Sequence, residues 1–107
     1  MGLLIYKMKY DKLVRDKIPE IIEQKGGKYK IRLANDQEYW NKLKVKLTEE
    51  VSEFLESENH KEIADILEVL QASAEHKGLE WHAVLATQKK KFDERGEFKK
   101  RIISEES

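Results

Sequence analysis

The stretch NDQEYWNKLKVKLTEEVSEFLESENHKEIADILEVLQASAEHKG, residues 35–78, carries two amphipathic helices and the turn that joins them. At about 100° per residue, Trp40, Leu43, Leu47, Val51, Phe54 and Leu55 fill one arc of a helix over 36–57. Glu50 falls at the edge of that arc, with Glu53 beside it on the polar side. Asn35 stands three residues before Glu38, a spacing suited to capping the helix start. Ser57-Glu58-Asn59 then interrupts the pattern. The next helix runs to about Lys77 and stops at Gly78, where a left-handed residue is easily accommodated. Its apolar arc holds Ile63, Ile66, Leu67, Val69, Leu70 and Ala74, with Glu62 inside the arc and Asp65 at its edge. So short a connection makes the two helices antiparallel neighbours.

Outside this pair the signals are shorter. Residues 3–14 read as an extended leading segment, with Leu3, Leu4, Ile5 and Tyr6 favouring strand. Asp16-Lys17-Ile18-Pro19 opens a helix, with Asp16 near its cap, that reaches Gln24 and stops at Gly26-Gly27. Tyr29 to Leu33 alternates as a short strand does. A further helix covers 80–94, with Trp81, Val84, Leu85 and Phe92 along one face, and Arg95-Gly96 ends it. A short extended piece is expected at Arg101-Ile102-Ile103. The expected fold is all-α: one domain over 1–107, a compact helical bundle built on the antiparallel pair, with short extended segments near the termini.

Composition narrows the function classes. Apolar and charged residues each make up 39% of the 107 residues. That balance leaves a modest core and suits a chain that hides further apolar surface against copies of itself. Lys plus Arg and Asp plus Glu both number 21, so the net charge is zero. No overall basic field draws in a nucleic acid polymer. There are no cysteines, which excludes disulfides and thiolate metal sites. No apolar run reaches the roughly 18 residues of a membrane span. The apolar run at the start is too short for a signal peptide, and a cytoplasmic location is expected.

The chemistry lies in Glu50-x-x-Glu53 and Glu62-x-x-Asp65. Each pattern sets two carboxylates one helical turn apart on one face. Antiparallel packing brings the four toward one groove. Like charges so close repel, and burial adds desolvation. A hard divalent cation removes both costs. Magnesium prefers oxygen ligands and pairs with substrate phosphates, and the lack of His and Cys at ligand spacing argues against zinc.

Glu49-Glu50-Val51-Ser52-Glu53 followed by Glu62-Ile63-Ala64-Asp65 resembles the MazG-like nucleoside triphosphate pyrophosphohydrolases. Lys12-Leu-Val-Arg15-Asp16-Lys17-Ile-Pro19 resembles the opening of a small, phosphoribosyl-ATP pyrophosphohydrolase-like branch of that superfamily. Glu94-Arg95-Gly96-Glu97-Phe98 resembles its closing motif, although a second Gly is expected where Glu97 stands. Eight residues separate Glu53 from Glu62, fewer than the typical pattern, as a short inter-helix turn requires.

The resemblance implies magnesium-dependent hydrolysis between the alpha and beta phosphates, giving a nucleoside monophosphate and pyrophosphate, with manganese as a substitute. It implies metal binding by Glu50, Glu53, Glu62 and Asp65, with Glu50 or Glu53 activating water, and assembly as a homodimer or homotetramer. Lys12, Arg15 and Lys17, and on the last helix Lys91 and Arg95, are the candidate phosphate contacts. Trp40 and Trp81 could stack on a base, but their apolar helical faces favour packing. The competing reading is a non-catalytic helical module that assembles with itself or another protein.

Overall fold

The computed structural model describes residues 11–107. Most of the leading segment expected at 3–14 lies outside the described residues. Within it, Asp11 sits in a turn with φ 62° and Lys12 to Arg15 have no regular structure. The described residues form four helices and no strand: α1 (Ile18–Gln24), α2 (Asp36–Ser57), α3 (His60–His76) and α4 (Trp81–Arg95). They fall into two compact units, one ending at Ser73 and the other running from Ala74 to Ser107. None of these helices is long and apolar enough to cross a membrane.

Local chemistry explains the helix boundaries. Pro19 occupies the first turn of α1, where its missing N–H costs nothing. The N-cap is Lys17, with no side-chain capping bond, so Asp16 does not cap this helix. Gly26, at φ +83°, ends it. At the start of α2, the Glu38 backbone N–H donates to Asn35 Oδ1 at 2.9 Å, and Asp36 and Glu38 put negative charge at the helix N-terminus. Glu58 ends α2 in the left-handed conformation, at φ 55°, and its N–H reaches the Phe54 carbonyl at 2.8 Å. The Asn59 side chain then accepts from the Lys61 N–H at 2.9 Å at the start of α3, which begins at His60.

Among the described residues the short strand expected at Tyr29 to Leu33 is not formed. Residues 29–33 carry no regular structure, with Tyr29, Ile31 and Leu33 exposed. Their alternation has no described strand to pair with, and a lone strand leaves its backbone groups unsatisfied. Arg32 in this segment instead forks onto the Glu38 carboxylate and holds its pKa below the ordinary range. Near the C-terminus Arg101 takes φ 61°, and residues 101–107 carry no regular structure.

Burial is sparse. Leu43 is 2% exposed and Val69 8%, and among the described residues of this unit the one charged side chain buried with them is Glu50. In the second unit Ala74 is buried, whereas α4 buries no residue.

Candidate metal centre

Glu50 projects from α2, and Glu62 and Asp65 project from one face of α3, a helical turn apart. The two-residue connection at Glu58-Asn59 folds α3 back along α2. One ligand atom from each of the three carboxylates then lies within 4.8 Å of the others. Magnesium bonds oxygen at about 2.0–2.1 Å, so opposite ligand oxygens of one ion lie about 4.2 Å apart. The trio is close to that span.

The three groups differ in how their charge is met. Glu50 is 6% exposed, and its Oε2 is fully buried with no hydrogen-bond partner. Its Oε1 lies 3.7 Å from Lys46 Nζ, one turn back on the same helix. Burial raises the Glu50 pKa, the Glu53 charge raises it further, Lys46 opposes the rise, and Asp65 and a hydrogen bond that the protonated carboxyl can share with Glu53 add to it. Glu62 is half-buried, with Ser57 Oγ 3.5 Å from its Oε1. Asp65 Oδ1 accepts from Arg15 Nη2 at 2.7 Å, while Arg15 Nη1 lies 3.7 Å from Glu68 Oε1.

A buried carboxylate oxygen without a donor is costly, because it has lost water and gained nothing. Three acidic groups around one point add mutual repulsion. A hard divalent cation answers both, and an all-oxygen donor set suits magnesium or manganese rather than a softer ion.

The sequence-expected residues occupy these positions. Glu53 is exposed, close enough to Glu50 to raise its pKa, and stands outside the trio. The depth of the carboxylates is reversed from the helical-wheel reading: Glu50 is buried, whereas Glu62, expected inside the apolar arc, is half-buried. Lys12 Nζ is 3.1 Å from the Glu49 carboxylate. Lys17 is exposed at the start of α1. Lys91 and Arg95 are exposed on α4 in the second unit. Trp40 is half-buried with Lys44 Nζ 5.4 Å from its ring centroid, and Trp81 is half-buried.

Sequence reasoning missed Lys46, Glu68 and Ser57. Two of these carried a signal. Lys46 precedes Glu50 by four residues and Glu68 follows Asp65 by three, both spacings at which helical side chains are neighbours. The long-range pairing of Arg15 with Asp65 had none.

No protein-family model matches the chain, and no solved structure matches it. An uncharacterized protein of Mycolicibacterium smegmatis is 54% identical over 41 residues, which is 38% of this chain and 42% of that protein. The match thus spans less than half the length of that relative, whose description carries no activity.

Proposed function

We propose that this chain is a MazG-like, magnesium-dependent pyrophosphohydrolase that cleaves a nucleoside triphosphate, or a related nucleotide, between its alpha and beta phosphates. The observation that carries the reading is the buried, unpartnered Oε2 of Glu50 within the Glu50–Glu62–Asp65 trio. The sequence motifs around it supply the reaction class. Glu50, Glu62 and Asp65 would hold the ion, with Glu53 as a further ligand or as the base. When bound, the ion neutralises phosphate oxygens as charge builds in the transition state.

The protein's own groups do the rest. Glu53 lies outside the trio and remains in solvent, which favours it over Glu50 as the acceptor of the water proton. The water oxygen bonds to the alpha phosphorus. The bond from that phosphorus to the bridging oxygen breaks, and pyrophosphate leaves with the electron pair. Arg15 and Lys12 are paired with acidic side chains, so contact with phosphate requires each to change partner. Lys17, Lys91 and Arg95 are further candidate phosphate contacts, since a triphosphate needs cationic partners.

Exposed Leu55, Ile63 and Leu67 on the helix pair support assembly as a homodimer or homotetramer. The same exposure is the observation that favours the competing reading, a non-catalytic assembly module. A cytoplasmic location fits a chain without cysteines.

The test is a panel of nucleoside triphosphates assayed for pyrophosphate release with magnesium, with manganese and with chelator. Release from at least one triphosphate, only with metal, is expected. Glu62→Gln should weaken manganese binding at least about tenfold, given that even groups contacting metal ligands contribute about 10- to 100-fold. No cleavage of any triphosphate, together with unchanged metal affinity in Glu62→Gln, would leave the assembly module as the better account.

A further inference from the structure

Arg15 stands fifty residues from Asp65 in sequence, yet its Nη2 donates to Asp65 Oδ1 at 2.7 Å. The second arm of the same guanidinium faces a carboxylate outside the trio, with Nη1 3.7 Å from Glu68 Oε1. Glu68 follows Asp65 by one helical turn, so one planar fork spans a metal ligand and a non-ligand on the same helix face. An ion bonded to Asp65 Oδ1 at about 2.1 Å would stand within about 5 Å of Nη2 and repel it.

We infer that Arg15 is the resident counter-cation of Asp65 in the metal-free protein, that the divalent ion displaces it, and that Glu68 retains the released guanidinium. This rests on the metal-centre reading and adds to it a cation that must yield before the metal binds. The arrangement keeps Asp65 compensated when no ion is present. It also makes metal loading the event that frees a guanidinium fork at the mouth of the site. By reciprocity, whatever holds Arg15 away from Asp65 strengthens metal binding by the same factor. An anion such as a phosphate group, which a guanidinium fork matches in geometry, would act in that direction.

The experiment is calorimetric titration of manganese into the full chain, at fixed ionic strength and without nucleotide. Arg15→Ala should bind manganese about two- to fivefold more tightly than wild type, the size expected for removing one half-exposed competing ion pair. Lys12→Ala deletes the same charge from Glu49, outside the trio, and should change the affinity by less than about twofold. Glu68→Gln should weaken manganese binding in the wild-type background and have a smaller effect once Arg15 is alanine. If Arg15→Ala proves unstable, Arg15→Lys keeps the charge without the fork and should fall between it and wild type. Equal or weaker manganese binding by Arg15→Ala overturns the inference in favour of a ligand-orienting role. Equal tightening by Lys12→Ala overturns it in favour of a general field. Absence of saturable binding by wild type overturns the metal centre itself, and the inference with it.

Discussion

Glu50 has one carboxylate oxygen with neither solvent nor donor, and a pKa raised first by burial and then by Glu53. A carboxyl whose folded pKa stands above its unfolded value binds its proton more tightly in the folded protein. Its contribution to stability is fully present below the ordinary glutamate pKa and is lost as pH rises through the raised folded value. In chelator, the melting temperature of wild type should therefore fall relative to Glu50→Gln as pH climbs through that window. Parallel pH profiles for the two proteins would mean that the buried oxygen is compensated. With magnesium the ranking should reverse, because Glu50→Gln lacks one of the proposed metal ligands. The same substitution removes a proposed metal ligand and should lower turnover at least about tenfold, the low end of what even groups contacting metal ligands contribute, with the helical spectrum unchanged. Turnover near wild type would remove Glu50 from the site. At this scale the sequence showed the residue types and their one-turn spacing. It misjudged depth, because an arc on a helical wheel says which side chains point together and not what covers them.

Helix ends are the most legible elements, and two of them carry predictions. Asn35→Ala removes the acceptor for the Glu38 N–H at the start of α2 and should cost about 1 kcal/mol, read from a denaturant midpoint. Asn35→Asp, which keeps the acceptor, should be near neutral, and equal loss in both would take the cap out of the account. At the other end, Glu58 holds φ 55° in the two-residue turn. Glu58→Gly relieves the left-handed strain and, after the extra chain entropy glycine loses on folding, should stabilise by about 0.5–1 kcal/mol. A loss of stability would show that the Glu58 side chain holds the turn by some contact of its own. Both ends were readable because a cap needs only one side chain and its neighbouring backbone. The strand-like run at Tyr29 to Leu33 misled because alternation is necessary for a strand and not sufficient. Arg32 has a strong partner in Glu38, and no described strand lies beside it.

At the scale of the molecule, few of the described side chains are buried and several large apolar ones on the helix pair remain in solvent: Leu55 is 72% exposed, Ile63 51% and Leu67 47%. Full burial of a residue this apolar is worth roughly 1.5–3 kcal/mol, and a second copy would recover the part that these half- to largely exposed side chains still forgo. Light scattering should report a dimer or larger assembly at micromolar concentration, and Leu67→Glu should shift it toward monomer. A wild-type monomer would sink the assembly proposal while leaving the metal centre standing. Metal binding to the folded chain should also raise its melting temperature. At a hundred times the dissociation constant the linkage is worth about 2.7 kcal/mol. Magnesium should have far less effect on Glu62→Gln at the same concentration, and equal stabilisation of both would point to nonspecific ionic strength.

The sequence by itself determined the helical class, the long pair over 36–57 and 60–76, the caps and breaks that bound it, and the acidic residues one turn apart on each member. Each depends on a helical period or on one side chain meeting nearby backbone, and such interactions are written at short spacing. Only the tertiary structure decided that Glu50 is the buried carboxylate, that Glu53 stands apart from the trio, and that Arg15 rests on Asp65. Those outcomes depend on which surfaces meet when α3 folds back along α2 and when the segment before α1 reaches α3. Contacts made across fifty residues leave no trace in local periodicity.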